Sequence, residues 1–199
     1  IGVFEPLTGA NGAGGNDELE GIKLANKLYP TILGKKVELV VVDNKSDKVE
    51  AANAAMVVAQ KEKVNAVLGS WGSSLSMAGG PIFAEAKIPA VAVSATNPNV
   101  TKGNEHYFRV CFLDPFQGTV GATYAFNTLK AKKVAIIREV SNDYSVGLAK
   151  FFVDQFTKLT GDAQAVVATA DYNTGDQDFT AQLTNIKKAN PDVIFAPGN

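Results

Sequence analysis

The sequence predicts an α/β protein of two lobes, each built on a parallel sheet flanked by helices. Three observations lead there. Short β-rich runs alternate with helical patterns along the whole chain, which is the mark of βαβ units. The alternation breaks once, in a turn-rich stretch after residue 93. No apolar run approaches the roughly 20 residues that a bilayer crossing takes.

Ile1 to Phe4, Val37 to Val42, Val64 to Leu68 and Ala90 to Val93 read as the strands of the first series. Its first helix is expected to begin near Asp17, which has capping-box spacing to Glu20, and to carry Leu24 and Leu28 on one face. A second helix is expected near Asp47, with Glu50 in the same relation. Then come the turn-rich Ser94 to Gly103, an extended run Tyr107 to Leu113, and Asp114-Pro115. That break sets the expected boundary, with a first lobe over 1–113 and a second over 114–199. The second series has strands at Val134 to Ile137, Ala165 to Ala168 and Val193 to Ala196. Its helices fall near Gln117 to Leu129, Ser145 to Leu159 and Asp178 to Ala189. A parallel sheet needs its faces and edges covered, and the last strand here has no following helix. The second lobe is therefore expected to be incomplete and the chain a fragment of a longer protein, the alternative being a small lobe with a C-terminal edge strand. Ile1 opens directly into a strand pattern, as a mature or trimmed chain would.

Composition narrows the function classes. The 199 residues are 46% hydrophobic and 20% charged, enough apolar material for packed cores. Lys and Arg number 19 against 20 Asp and Glu, and the basic residues are scattered, so the electrostatic footprint of a nucleic-acid binder is missing. The single Cys111 excludes an internal disulfide or a thiolate cluster and reads as a buried strand thiol; the single His106 reads as a solvated surface residue. With one histidine and no calcium-loop spacing among the acids, neither a metal site nor a cofactor is expected. Gly12 and Gly14 are followed by Asp17 where a dinucleotide fingerprint wants its third glycine, and no Gly-x-Ser-x-Gly elbow occurs. The chain is expected not to be an enzyme.

In open parallel sheets ligands bind beyond the carboxyl ends of the strands. The segments there are Thr8 to Gly15, Gly69-Ser70-Trp71-Gly72-Ser73-Ser74, Ser94-Ala95-Thr96-Asn97-Pro98, Ser141 to Ser145 and Pro197-Gly198-Asn199. Glycine, small hydroxyls and isolated aromatics suit a small zwitterion, because hydroxyls and helix-start amides receive a carboxylate without a buried cation. Each residue also has a plainer reading. Ser73 or Ser74 serves as an N-cap, Thr96 shapes the Asn97-Pro98 turn, and Tyr144 packs on its own helix. Trp71, flanked by glycine, reads as a contact surface for a ligand rather than a core residue. Placement of all of these on the same predicted sheet edges favours a binding site.

In order and spacing the chain resembles the leucine/isoleucine/valine-binding protein family, the type I periplasmic solute receptors of branched-chain amino-acid ABC importers. The matching segments are Pro6-Leu7-Thr8-Gly9, Gly69 to Ser74, Ser94 to Pro98, Tyr107-Phe108-Arg109, Asp143 to Gly147 and Asp176 to Thr180. The resemblance implies that the hydroxyl of Ser73, the backbone at Ser94 and Ala95, and the hydroxyl and amide of Thr96 hold a ligand's α-carboxylate and α-amino group. Tyr144 would close from the second lobe by a hinge near 113–117, and Trp71 would border the side-chain pocket. An aromatic of the family's first loop is replaced by Gly14, which is expected to open that pocket. A further ligand residue aligns near Asn199, and the family's acidic partner for the ammonium lies past the last residue, as do the remaining strands of the second lobe and the return elements that would complete the first. The implied protein is periplasmic, or lipid-anchored at the extracellular face, and partners an amino acid and a membrane permease. A ligand-sensing regulatory module of the same fold is the alternative.

Overall fold

A computed structural model describes residues 1–62 and 64–198. The chain divides into two compact units, Ile1–Cys111 and Phe112–Asn199, so the division falls two residues before the expected one.

In the first unit, β1 (Gly2–Glu5) lies between β4 (Val40–Asp43) and β5 (Val67–Leu68), and the sheet continues through β6 (Ala90–Ala92) to β7 (Tyr107–Arg109). Every pairing in it is parallel. Helices α1 (Gly12–Leu28), α2 (Lys48–Met56) and α3 (Ser73–Ala86) make the crossovers. The core is aromatic and alanine-rich. Phe83 meets Phe4 edge to face at 5.4 Å and Tyr107 at 6.1 Å, while Ala51, Ala54 and Ala55 let α2 lie close to the sheet.

Asp47 caps α2 as expected: its side chain accepts from the amides of Val49 at 2.8 Å and Glu50 at 3.0 Å. The reciprocal arm of the box is not made, because Glu50 pairs with Lys45. Asp47→Ala should cost about 1 kcal/mol, read from the urea midpoint. The first helix departs from expectation. It starts five residues before Asp17, at Gly12, with Asn11 as a cap that makes no side-chain bond. It buries Gly15, Leu19 and Ile22, and leaves Leu24 and Leu28 57% and 63% exposed. An exposed antiparallel hairpin, β2 (Thr31–Ile32) and β3 (Lys35–Lys36), follows it; Leu33 and Gly34 both take positive φ in its turn. The extended run after residue 106 is a strand only to Arg109. Cys111 therefore lies past the strand, half-buried, with its Sγ 3.5 Å from the Ala95 carbonyl. His106 is half-buried, and its carbonyl accepts from Ala90 in the sheet.

The second unit is a parallel sheet in the order β10 (Val193–Phe195), β8 (Val134–Glu139), β9 (Val166–Tyr172). Helices α4 (Asp114–Thr123), α5 (Asp143–Thr160) and α6 (Thr180–Ala189) accompany it. Helix α4 starts three residues before the expected Gln117, because Pro115 fits the first turn of a helix and Leu113 ahead of it is extended. Its Gly118 allows close approach to α5: a Cβ there would lie 2.7 Å from Phe151 Cβ and 2.8 Å from the Phe152 amide. Phe152 stacks between Phe156 and Phe195. Among the described residues no helix is long and apolar enough to cross a membrane.

Candidate ligand-binding site

The strand order places β1 between β4 and β5, so the chain reverses direction across the sheet beside β1. The crevice beyond the carboxyl ends of strands at such a point is the usual ligand site of doubly wound sheets. The turn after β1, the loop after β5 and the start of α3 all lie at that edge.

The loop after β5 is fastened from several sides. The Tyr107 phenol donates to the Gly69 carbonyl at 2.7 Å. Ser76 Oγ donates to the Ser70 carbonyl at 2.8 Å and accepts from the Ser70 amide. Asn44 Nδ2 donates to Ser70 Oγ at 2.8 Å, and the Trp71 amide donates to Glu5 Oε2 at 2.6 Å. Buried polar groups demand such partners, and together they fix where the Trp71 backbone stands. Its indole lies against Gly14: a Cβ on Gly14 would overlap Cε2 and Nε1 of the ring, too close to coexist with it. The expectation that Gly14 opens the pocket is thus corrected, because Trp71 fills the volume that a side chain at 14 would take.

Ser73 and Thr96 come together from different crossovers. Ser73 opens α3 and is 1% exposed; Gly72, at φ 87°, holds the cap position without a side-chain bond, so neither Ser73 nor Ser74 is the N-cap. Ser73 Oγ instead accepts from the Asn97 amide at 3.1 Å, docking the Thr96 loop on the helix start. Asn97 Oδ1 accepts from the Asn99 amide, so the turn is shaped by Asn97 and the Thr96 hydroxyl is not spent on it. Arg109, given no role by the sequence, holds the same loop: Nη1 donates to the Ala95 carbonyl at 2.8 Å and Nη2 to Thr101 Oγ1 at 3.0 Å. Its signals in the sequence are a lone arginine in an apolar extended run and its place in the matching segment Tyr107-Phe108-Arg109. Thr96 is 7% exposed, while Ser94 stands open at the surface.

Two acids were also missed. Glu5 ends β1 with no exposed surface, and Glu18 reaches it from α1. Burial and the charge of Glu18 push Glu5 up to about 10, and its hydrogen bond to Glu18 adds to this; the Trp71 amide pulls the other way. Burial likewise raises Glu18, opposed by hydrogen bonds from Ser94 and Glu5. Glu18 Oε1 accepts the Ser94 hydroxyl. An acid closing an otherwise apolar strand run was the available signal. At the end of β4, Asp43 braces the first turn through Thr8 Oγ1 at 2.6 Å and the Leu7 amide at 2.8 Å. Its slight burial pushes its carboxyl up, but these bonds, with those from the Lys45 and Thr8 amides, bring it below the usual range.

In the second unit Tyr144 sits in the first turn of α5, capped by Asn142 Oδ1 accepting from its amide at 3.0 Å. Its phenol oxygen accepts from Gln117 Nε2 at 2.9 Å, which leaves the phenol proton to donate. Burial raises its pKa, the Gln117 bond lowers it, and Asp114 raises it. Tyr144 is thus tied to α4 rather than packed only on its own helix. The position aligned near Asn199 lies outside the described residues. Among the described residues no group of three or more His, Cys, Asp or Glu side chains is placed to hold a metal.

A doubly wound sheet whose carboxyl edge gathers hydroxyls, the amides of a helix start and one aromatic ring has the build of a small-molecule binding crevice. Comparison with known proteins gives the class its name: the periplasmic binding protein model matches residues 1–198, and the chain belongs to that family. It is 34% identical over 202 residues to an amino acid binding protein of Pseudomonas aeruginosa, covering all of this chain and 53% of the relative. The leucine binding protein LivK of Thermotoga maritima superposes with a TM-score of 0.93 at 45% identity, over 98% of this chain and 55% of that one. LivJ of Streptococcus pneumoniae, solved with isoleucine, gives 0.89 at 34% identity, over 100% and 56%. The chain spans about half the length of the relatives it matches.

Proposed function

We propose that this chain is the ligand-gripping part of an extracytoplasmic solute receptor that binds an amino acid with a branched-chain or other neutral or aromatic side chain, and delivers it to an ABC importer. The observation that carries the reading is the docking of the Thr96 loop on the start of α3 through Ser73. It gathers a hydroxyl, backbone amides and the positive end of a 14-residue helix at one sheet edge. A carboxylate is received there without a buried cation. Ser94 takes the amine end, Trp71 borders the side chain, and Tyr144 is added by closure of the second lobe. The branched-chain names of the relatives support the ligand class.

Calorimetric titration of the full-length protein with leucine, isoleucine, valine and phenylalanine tests this. Thr96→Ala should weaken the preferred ligand about 10- to 100-fold, the loss of roughly 1.5–3 kcal/mol expected for hydrogen bonds to a charged group. Unchanged affinity would remove the proposed site.

A further inference from the structure

Glu5 Oε1 and Glu18 Oε2 are both buried and, apart from each other's carboxyl, find no hydrogen-bond partner among the described residues. The two carboxyls meet side chain to side chain. Two carboxylate oxygens turned on each other out of water repel unless a proton lies between them. Each carboxyl's other oxygen is committed: Glu5 Oε2 accepts the Trp71 amide at 2.6 Å, and Glu18 Oε1 accepts the Ser94 hydroxyl. The pair therefore spans from the loop after β5 to the loop after β6, with α1 between.

We propose that Glu5 and Glu18 share one proton, Glu5 as donor and Glu18 as carboxylate, and that this bridge is a positioning device which sets Trp71 and Ser94 at the ligand edge. The assignment follows from the donors. Glu18 receives two hydroxyl protons, from Ser94 and Glu5, and so carries the charge; Glu5 receives one amide and gives one proton. Ser94 spends its own proton on Glu18, so its oxygen faces outward only as an acceptor. On the amino-acid reading above, and only on it, that polarity suits an ammonium group.

The titratable groups facing the pair are few. Tyr107 on β7 senses both acids, with its phenol committed to the Gly69 carbonyl. Asp43 is the β4 partner of Glu5 in register, and its carboxylate is engaged by the turn after β1. Among the described residues no basic side chain bonds either acid.

The sign of the pH effect is fixed. Glu5 holds its proton to about 10 in the folded state against an ordinary 4.5, so between those values the native state binds more protons and stability falls as pH rises. Trp71 is the only tryptophan, so its fluorescence reports the loop without any ligand.

The test compares wild type with Glu5→Gln, whose amide accepts from Trp71 and donates to Glu18 with no proton to lose, and with Glu18→Gln. Difference infrared spectra at neutral pH should show a protonated-carboxyl stretch in wild type that Glu5→Gln lacks. Trp71 fluorescence should step near pH 10 in wild type and not in Glu5→Gln, the tyrosines being common to both. The urea midpoint should fall from pH 5 to 9 more steeply in wild type. In Glu18→Gln, where an amide replaces the anion and donates to Glu5, the step should move to lower pH, burial still holding it above the ordinary carboxyl range. A wild-type spectrum without the band, a Glu5→Gln step coincident with wild type, or an unmoved step in Glu18→Gln would overturn the proposal. None of these readouts uses a ligand, so they stand or fall separately from the amino-acid reading.

Discussion

Phe152→Ala is expected to lower the stability of the second unit by about 3–5 kcal/mol. The ring is 1% exposed and stacks on Phe195 at 4.0 Å and on Phe156 at 5.9 Å, nearly parallel to both. From α4, a Cβ on Gly121 would sit 3.4 Å from both Phe152 and Phe195, so the helix already lies against the stack. Truncation removes the middle ring of three, and flat neighbours held by β10 and α5 have little freedom to collapse into the gap. Since small domains hold only about 5–15 kcal/mol of net stability, the loss removes a large fraction of it. Urea unfolding followed by circular dichroism measures it. Phe152→Leu, which keeps most of the volume, should cost less, and a Phe152→Ala loss below about 1 kcal/mol would show that the stack is not a core element.

Gly15→Ala is the second large effect, and its sign runs against helix propensity. Alanine in a helix interior ordinarily gains up to about 1 kcal/mol over glycine. At Gly15, however, the added Cβ would overlap the Pro6 carbonyl oxygen and lie 2.8 Å from its carbon. Both atoms are backbone, in the turn that Asp43 braces, so they cannot swing aside as a side chain would. Overpacking of this kind costs about 1–3 kcal/mol, and a net loss near the upper end is expected. Gly21, on the same helix with nothing within 4 Å of its Cβ position, supplies the control: Gly21→Ala should stabilise by roughly 0.5–1 kcal/mol. Equal effects at the two positions would refute the packing argument.

The same glycine shows why the sequence was partly legible. Strand runs and the α2 cap were readable because alternation and an Asp at the right spacing act locally. The start of α1 was not, since Gly12, Gly14 and Gly15 look like a loop. They are helical, and their missing side chains let α1 lie against Leu7, Trp71 and Pro6 in turn, contacts visible only in three dimensions. The hairpin after α1 escaped for a related reason, its turn using Leu33 rather than Asn at positive φ. At the candidate site, loop residues were foreseeable from strand ends, whereas the braces were not. Glu5 reads as the polar end of a strand, and only its contact with Glu18, thirteen positions on, gives it a buried role. Arg109 likewise acts on residues eight to fourteen positions before it.

The indole over Gly14 has a consequence for how this loop edge would be engineered. Because Trp71 occupies the space a residue at 14 would claim, the two positions are exclusive tenants of one volume. An aromatic introduced at 14 alone collides, and a small residue at 71 alone leaves a hole. Each single change is harmful, while the exchange of both conserves the wall and only changes the loop that carries it. On the proposed amino-acid reading, ligand preference would then be a property of the pair, and single-site scans would mistake a movable wall for a fixed one.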